Sequence, residues 1–314
     1  MSETLHALLP PVGAAATRSN GAGPGARRES IENSLLAAMP RKEYRRLAAG
    51  LEPVSLTFGE VLYEPGETIR HVYFPNKSLV SLLTLADGHL ALEVGLIGRE
   101  GMVGIPLVLG HTQSSVRALV QGAGTAMRMA SARFRKEFRL SLPLQRELYR
   151  YTHTLMGQIS QTAACNRFHV VETRLARWLL MTHDRVKSDQ FRMTHEFLGH
   201  MLGVRRVGVT KAAQALQERK LIRYRRGDIT VLDRRGLEAA ACECYEVVKD
   251  MHDGAHRNGP GNSPRPPSET AARHGNASAG LHANADARQA ETESRDGVQG
   301  AVGAGSESER QDAG

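Results

Sequence analysis

The sequence predicts an α+β protein in which a β domain comes first, a long helix follows and a small helical domain comes last. Short apolar segments separated by turn residues recur from about residue 51 to 130. After Ser131 the apolar residues recur every three or four positions, which is helical spacing. Two short helices and a β-hairpin are then predicted between residues 194 and 232. These observations divide the folded part of the chain into a β half and a mainly α half.

Both ends of the chain are predicted to be disordered. Residues 1–29 and 253–314 contain few large apolar side chains, and no aromatic residue follows Gly254. Such segments cannot bury enough surface to offset the entropy lost on ordering. Residues 254–314 have a net charge of −2, so we do not expect this segment to be a basic nucleic-acid arm. A linker, a decoy for a basic surface elsewhere in the chain or no function at all remain open for it.

Residues 30–140 are predicted to form the β domain. Seven short strands are indicated at a spacing of about 8–12 residues, which favours a sandwich or a barrel. Asp87-Gly88 lies between two of these apolar segments and predicts the turn of a hairpin.

Residues 141–168 are predicted to form one long helix. Steps of three and four residues place a mildly apolar seam along one face of it. Two interpretations of the seam are open, a helix packed on its own domain or a dimerisation helix. The dimer interpretation places five residues in the interface, namely Leu148, Tyr151, Leu155, Ile159 and Thr162.

The positive charge is concentrated in one stretch of the chain. The chain has a net charge of +8, and Arg167–Arg235 alone contains 16 Lys and Arg against 7 Asp and Glu. The rest of the chain therefore sums to −1. This distribution is typical of a polyanion-binding domain attached to another domain, although a solvated basic surface without a partner would look the same.

Residues 169–252 contain the most informative pattern, which predicts a winged helix-turn-helix domain. Thr194 can cap a first helix, Gly199 is small where two helices meet, and Gly203 lies where the turn needs a positive φ. Val209, six residues later, is expected to point back into the helix junction. Two apolar segments then flank Arg225-Arg226-Gly227-Asp228 and predict a hairpin with a cationic tip.

The second helix of this pattern, residues 205–218, is expected to enter a DNA major groove. Long donors on its outer face can reach base edges, and Arg and Lys favour guanine. The hairpin cations would contact phosphates, which give affinity without sequence information. The residues assigned to backbone contacts are Thr194, Arg205, Thr210, Gln214, Arg223, Arg225 and Arg226.

A β domain, a long helix and a winged helix-turn-helix in this order resemble the Crp/Fnr family of bacterial transcription regulators. The resemblance covers about residues 35–245. It rests on Phe58–Glu67 and Val72–Phe74, which look like the opening strands of a cyclic-nucleotide-binding-type jelly roll, and on Glu172–Leu180, which resembles the helix that opens the family's DNA-binding domain.

The resemblance implies a homodimer that binds a pseudo-palindromic DNA site and works with RNA polymerase. By alignment, the family's base-contacting positions correspond to Arg206, Val207 and Lys211 in this sequence. The middle place often holds an acid in the family, whereas Val207 could offer only apolar contact with a thymine methyl. We therefore expect a target site that differs from the best-known family consensus.

The resemblance is weakest where an effector would bind. Family members that bind cyclic nucleotides carry a Gly-Glu and a later Arg-Ser, and the corresponding pairs here are Gly104-Ile105 and Gln113-Ser114. Ile105 cannot accept a ribose hydroxyl, and Gln113 has no charge for the phosphate. We therefore expect a sensor that is not a standard cyclic AMP binder. A pocket shifted towards Arg99, Glu100 or Arg117 stays open as the alternative.

The sequence predicts no metal site and no cofactor, with cyclic AMP or another nucleotide as the alternative. The chain has three cysteines, too few for the iron–sulfur sensors of the family. Cys242-x-Cys244 is interpreted as helix packing, because no matching His or Cys pair accompanies it in the sequence. Cys165 is interpreted as a buried, inert thiol. The alternative is that this cysteine senses the redox state at the interface formed by the dimer helix.

Other classes of protein fit the sequence less well. No apolar run approaches the roughly 20 residues of a membrane span, and no phosphate loop or nucleophile motif of an enzyme is present. We therefore predict a DNA-binding regulator without enzymatic activity, located in the cytoplasm at the nucleoid. The rival hypothesis is a nucleotide- or metabolite-binding module whose basic domain binds a protein.

Overall fold

The structure is a computed structural model that describes residues 31–86, 90–186 and 188–257. The segments predicted to be disordered lie outside it, except for residues 253–257. These five residues continue a helix, which corrects the predicted start of the C-terminal segment. No helix in the described residues is both long enough and apolar enough to cross a membrane.

The β domain is an antiparallel sandwich of two sheets, as the alternating pattern predicts. Its strands are β1 (Glu52–Leu56), β2 (Val61–Tyr63), β3 (His71–Pro75), β4 (Leu79–Ala86), β5 (Leu90–Ile97), β6 (Arg117–Gly122) and β7 (Gly124–Ala130). One sheet has the order β1-β7-β3 and the other β2-β6-β4-β5. Both sheets contribute to one core, in which Phe74 of β3 and Val120 of β6 are completely buried. The predicted hairpin is formed by β4 and β5, and its turn at 87–89 lies outside the described residues.

Two short helices precede the strands and were not predicted from the sequence. They are α1 (Ser34–Ala37) and α2 (Arg41–Ala48). Asn33 is completely buried, accepts a hydrogen bond from the backbone N–H of Leu36 and donates from its amide to the carbonyls of Pro75 and Gly101. These bonds attach the N-terminal helices to the sandwich.

The long helix α4 (Leu142–Phe168) follows a shorter helix, α3 (Ser131–Leu140). Ser141 separates them and caps α4, because its hydroxyl oxygen accepts from the N–H of Leu144 at 3.3 Å. Pro143 lies in the first turn, where a missing N–H costs no hydrogen bond.

The C-terminal half contains five helices around a small sheet. The elements are α5 (Val171–Val186), β8 (Gln190–Arg192), α6 (His195–Leu202), α7 (Arg206–Glu218), β9 (Ile222–Arg225), β10 (Asp228–Val231), α8 (Arg234–Ala240) and α9 (Cys244–Arg257). The predicted hairpin is β9–β10, and β8 adds a third strand that was not predicted, in the order β8-β10-β9. α9 packs along α4.

The β domain and the C-terminal half share a hydrophobic core. Leu83 of β4 and Leu96 of β5 belong to the same buried cluster as Leu198 of α6. At its edge the rings of Phe58 and Phe197 lie 5.6 Å apart. The first helix of the helix-turn-helix is therefore packed directly on the β domain of its own chain.

Candidate nucleic-acid interface

The helix-turn-helix has the geometry that its glycines predict. Gly203 has φ +61°, the left-handed conformation that ends α6, and its N–H bonds the carbonyl of His200 at 3.2 Å. A Cβ at Gly199 would lie 2.9 Å from the carbonyl oxygen of Val204, so only glycine allows this approach of α6 to the turn. Thr194 caps α6 by accepting from the N–H of Phe197 at 3.1 Å.

The junction between α6 and α7 is a dry apolar core. Val209 is completely buried, as its position after the turn predicts. Leu198, Leu202 and Leu216 are buried around it, so the two helices cross at a fixed angle. This packing decides which face of α7 is turned outward.

The outer face of α7 is exposed and polar. Arg206 and Lys211 are exposed, and Val207 keeps 64% of its surface in contact with solvent. Two polar side chains on this face already form hydrogen bonds within α7. The Thr210 hydroxyl donates to the carbonyl of Arg206 at 3.0 Å, and the Gln214 amide donates to Glu218 at 3.0 Å.

The wing is a tight hairpin whose tip lies beside the start of α6. Arg226 and Gly227 are its central residues and have φ +53° and +89°, and positive values at both places are typical of a type I′ turn. The N–H of Met193, just before Thr194, donates to the Gly227 carbonyl at 2.6 Å. The tip cations and the capped start of α6 therefore face the same region.

The predicted contact cations are free of carboxylate partners. In the ranges that the structure describes, six exposed cations of α7 and the wing form no ion pair, namely Arg205, Arg206, Lys211, Arg223, Arg225 and Arg226. Other arginines of the basic stretch are used structurally. Arg185 pairs with Glu100 at 2.7 Å and Arg234 with Asp184 at 2.7 Å. The structure therefore leaves these six cations available on α7 and the wing.

His195 holds the helices and the wing together, a role that sequence reasoning did not assign. Its ring stacks on Tyr224 of β9 with centroids 4.2 Å apart, and its Nδ1 lies 3.0 Å from the Thr210 hydroxyl of α7. Burial, followed by the nearby charge of Arg206, lowers the pKa of His195. The imidazole is therefore neutral at physiological pH and positions Thr210 without adding charge.

The predicted effector residues differ in their exposure to solvent. Ile105 and Ser114 are buried, whereas Gln113 is exposed. The Ser114 hydroxyl donates to the carbonyl of Val116 at 2.7 Å, and Gly104 has φ +110° at the start of a 3-10 turn. The buried Tyr63 contacts both Gly104 and Ser114, and burial raises the pKa of its hydroxyl.

Two of the three charged residues of the alternative, shifted pocket form ion pairs. Arg117 bonds Glu64 at 2.7 Å, and Glu100 bonds Arg185 of α5. A nucleotide phosphate would have to displace Glu64 to reach Arg117.

The predicted dimer seam faces the core of its own chain, which corrects its assignment. Leu148, Tyr151 and Leu155 belong to the sandwich core, Ile159 packs against it and Thr162 is 9% exposed. Apolar periodicity found the face of α4 that is buried in the monomer. A different stripe is exposed at seven-residue spacing, formed by Leu142 (65% exposed), Tyr149 (52%) and Met156 (61%).

Comparison with known proteins agrees with this geometry. The family model of the Crp-like helix-turn-helix domain matches residues 173–240, which include α6, α7 and the wing. No curated protein matches the chain.

Solved structures of regulators show the same fold over both halves. The c-di-GMP-responsive global regulator CLP from Xanthomonas campestris is 17% identical, with a TM-score of 0.52 over 61% of this chain and 99% of its own. FixK2 from Bradyrhizobium japonicum is 15% identical, with a TM-score of 0.53 over 61% and 98%. A Crp/Fnr-family regulator from Thermus thermophilus is 20% identical, with a TM-score of 0.51 over 60% and 98%.

Proposed function

We propose that this Crp/Fnr-type transcription regulator binds a pseudo-palindromic DNA site as a homodimer, with α7 of each chain in a major groove. The observation that supports this most directly is the set of six exposed, unpaired cations on α7 and the wing. DNA phosphates would supply the anionic partners that these six cations do not have among the residues that the structure describes.

Within α7, Arg206, Val207 and Lys211 are the proposed base contacts. They lie on the exposed face, where a helix in the major groove meets base edges. Arg206 and Lys211 would favour guanine, and Val207 a thymine methyl. Arg205, Thr210 and Gln214 would contact the backbone beside them, with the caps and the wing cations fixing the orientation of the domain.

The proposed homodimer forms through the exposed stripe of α4. Leu142, Tyr149 and Met156 recur every seven residues, the spacing at which two helices pack side by side. A second copy of the chain would cover this stripe and present two α7 helices to successive major grooves, about 34 Å apart.

The sensor is proposed to act on DNA binding without being a standard cyclic AMP site. Ile105 is buried, and Arg117 is neutralised by Glu64. An effector that rearranges β4 or β5 would act directly on α6, because these elements share a core.

Selection of bound sequences from a random duplex library tests the DNA-binding proposal. Wild type should select a two-fold symmetric motif, with or without cyclic AMP. Arg206→Ala and Lys211→Ala should relax the preference at two symmetry-related positions each, at about 1–3 kcal/mol per position. Lys136→Ala, an exposed lysine of α3, is the matched control.

Two outcomes would count against the proposal. Selection of no motif under either condition would favour the protein-binding hypothesis for the basic domain. A motif that appears only with cyclic AMP would show that the sensor is a nucleotide site after all.

Light scattering after size-exclusion chromatography tests the dimer. Met156→Glu puts a charge into the stripe and should give monomers, whereas Leu109→Glu, at a leucine of the sensor that is 55% exposed, should leave dimers. A monomeric wild type, or a dimeric Met156→Glu variant, would contradict the assigned stripe.

A further inference from the structure

Four potential metal ligands meet at the joint between the long helix and the DNA-binding domain. Cys165 and His169 lie one turn apart at the end of α4, and Cys242 and Cys244 flank the start of α9. Their ligand atoms all lie within 4.8 Å of one another. Cys165 and Cys244 are completely buried, and Cys242 is 8% exposed.

We propose that Cys165, His169, Cys242 and Cys244 bind one zinc ion through three thiolates and the imidazole Nδ1. Three cysteines and one histidine make a complete ligand set for a structural zinc site. The ion would join the end of α4 to the start of α9, and the three thiols would release their protons on binding it.

The spacing of the four atoms fits tetrahedral zinc. Zinc–sulfur bonds of about 2.3 Å and zinc–nitrogen bonds of about 2.0–2.1 Å place ligand atoms about 3.8 Å apart for sulfur pairs and about 3.5 Å apart for a sulfur and a nitrogen. The Sγ atoms of Cys165 and Cys242 lie 3.5 Å apart, and the Cys244 Sγ lies 3.4 Å from the His169 Nδ1. No two of the four ligand atoms are more than 4.8 Å apart, so side-chain adjustments of up to about 1 Å would complete the site.

The surrounding groups support the ligands as they do in zinc proteins. The His169 Nε2 lies 3.7 Å from Glu243, which leaves Nδ1 for the metal and orients the ring. The Gln161 amide donates to the Cys244 Sγ at 3.0 Å, a bond that stabilises a thiolate.

A buried arginine supplies the charge that such a site needs. Three thiolates and one zinc ion leave a net charge of −1. Arg174 is 6% exposed, and its charge acts on Cys165 and Cys242. In the part of the chain that the structure describes it bonds only the Asn166 side chain and the Leu202 carbonyl, and its Nε has no partner. An anionic metal centre would provide the counter-charge that this buried cation lacks.

A disulfide explains the cluster less completely. Cys165 and Cys242 could be oxidised together, but this would leave Cys244 and His169 without a role. It would also remove the negative charge beside Arg174.

Metal analysis of the full chain tests the proposal directly. Protein purified from zinc-supplemented cells should contain about one zinc per chain. Cobalt substitution of the wild type should give the absorption bands of a tetrahedral thiolate complex. Cys242→Ser and His169→Ala should each retain zinc at least about tenfold more weakly, whereas His153→Ala, an exposed histidine of the same helix, should bind as wild type does.

Three results would overturn the zinc site. The first is wild-type protein that holds less than about a tenth of a zinc ion per chain and shows no thiolate–cobalt absorption bands. The second is a Cys242→Ser variant that binds zinc as tightly as the wild type. The third is a Cys165–Cys242 disulfide in freshly isolated protein. The cobalt spectrum needs no variant, so misfolding of a variant cannot decide the outcome. Any effect of the ion on DNA binding rests on the function proposed above, and because metal content is measured without DNA the two proposals can fail separately.

Discussion

The buried carboxyl group of Glu93 should make the stability of this protein depend on pH. Glu93 lies on β5, where the sensor meets α5, and is 6% exposed. Its Oε1 accepts from the Trp178 indole at 2.9 Å and its Oε2 from the Ser81 hydroxyl at 2.7 Å. Burial raises its pKa from 4.5 to about 7, against these hydrogen bonds and the charges of Arg177 and Arg185, which lower it.

The sign of the effect follows from proton binding. Between pH 4.5 and about 7 the folded protein holds a proton on Glu93 that the unfolded chain has released. The free energy of unfolding contributed by this group therefore falls as pH rises through this window. A pKa shift of this size corresponds to a loss of about 3 kcal/mol in the free energy of unfolding, and the loss is complete above the pKa of the folded state.

Glu93→Gln should abolish this dependence. The amide is neutral at every pH, its oxygen can still accept from Trp178, and its NH₂ can donate to Ser81. The variant should match the wild type near pH 5 and exceed its stability by up to about 3 kcal/mol at pH 8. Glu246→Gln, at an exposed carboxylate of α9, is the control. It should leave the free energy of unfolding unchanged at both pH values.

Urea unfolding at a series of pH values measures the difference. Trp178 is the only tryptophan and bonds Glu93, so its fluorescence reports this contact. At each pH, the free energy of unfolding of the variant is subtracted from that of the wild type. This difference cancels the contributions of all other titrating groups. A constant difference from pH 5 to 8, or a variant less stable than the wild type at pH 8, would refute the reasoning.

Three further predictions concern the interface and its turn. Replacing Arg225 and Arg226 by Ala should lower affinity for all sequences alike and reduce the slope of log K against log salt by about 0.9 per lost phosphate contact, measured by fluorescence anisotropy. Loss of sequence discrimination would contradict the wing assignment. Gly203→Ala puts a Cβ on left-handed backbone and against Leu92, and should cost about 1–2 kcal/mol. Val209→Ala opens a cavity in the helix junction and should cost about 2 kcal/mol. Unchanged unfolding of either variant in calorimetry would show that the turn or the junction is not packed as described.

Local patterns predicted the elements that depend on local physics. The strands follow from alternation of apolar residues, and the turn at Gly203 follows from a backbone conformation that few other residues adopt. The wing follows from two apolar segments around Arg226-Gly227. In each case the determining residues are neighbours in the sequence.

The features that were missed depend on contacts between distant residues. β8 has three residues, too few to show a period, and is a strand only because β10 pairs with it. Cys165 and Cys242 are 77 positions apart, and their proximity follows from the packing of α9 on α4. Periodicity on α4 likewise identified an apolar face without showing whether its own domain or a partner covers it.

Three further contacts that the sequence did not reveal fix α5 to the rest of the chain. Near its start, Arg174 lies beside the proposed zinc ligands. In its middle, Trp178 bonds the buried Glu93, and near its end Arg185 pairs with Glu100 of the sensor. Because α5 packs on both α7 and α8, a displacement of the β domain would act on α7 through these contacts as well as through the direct packing of β5 on α6. The residues that control DNA binding would then lie along α5, outside both the DNA interface and the effector positions inferred from the sequence.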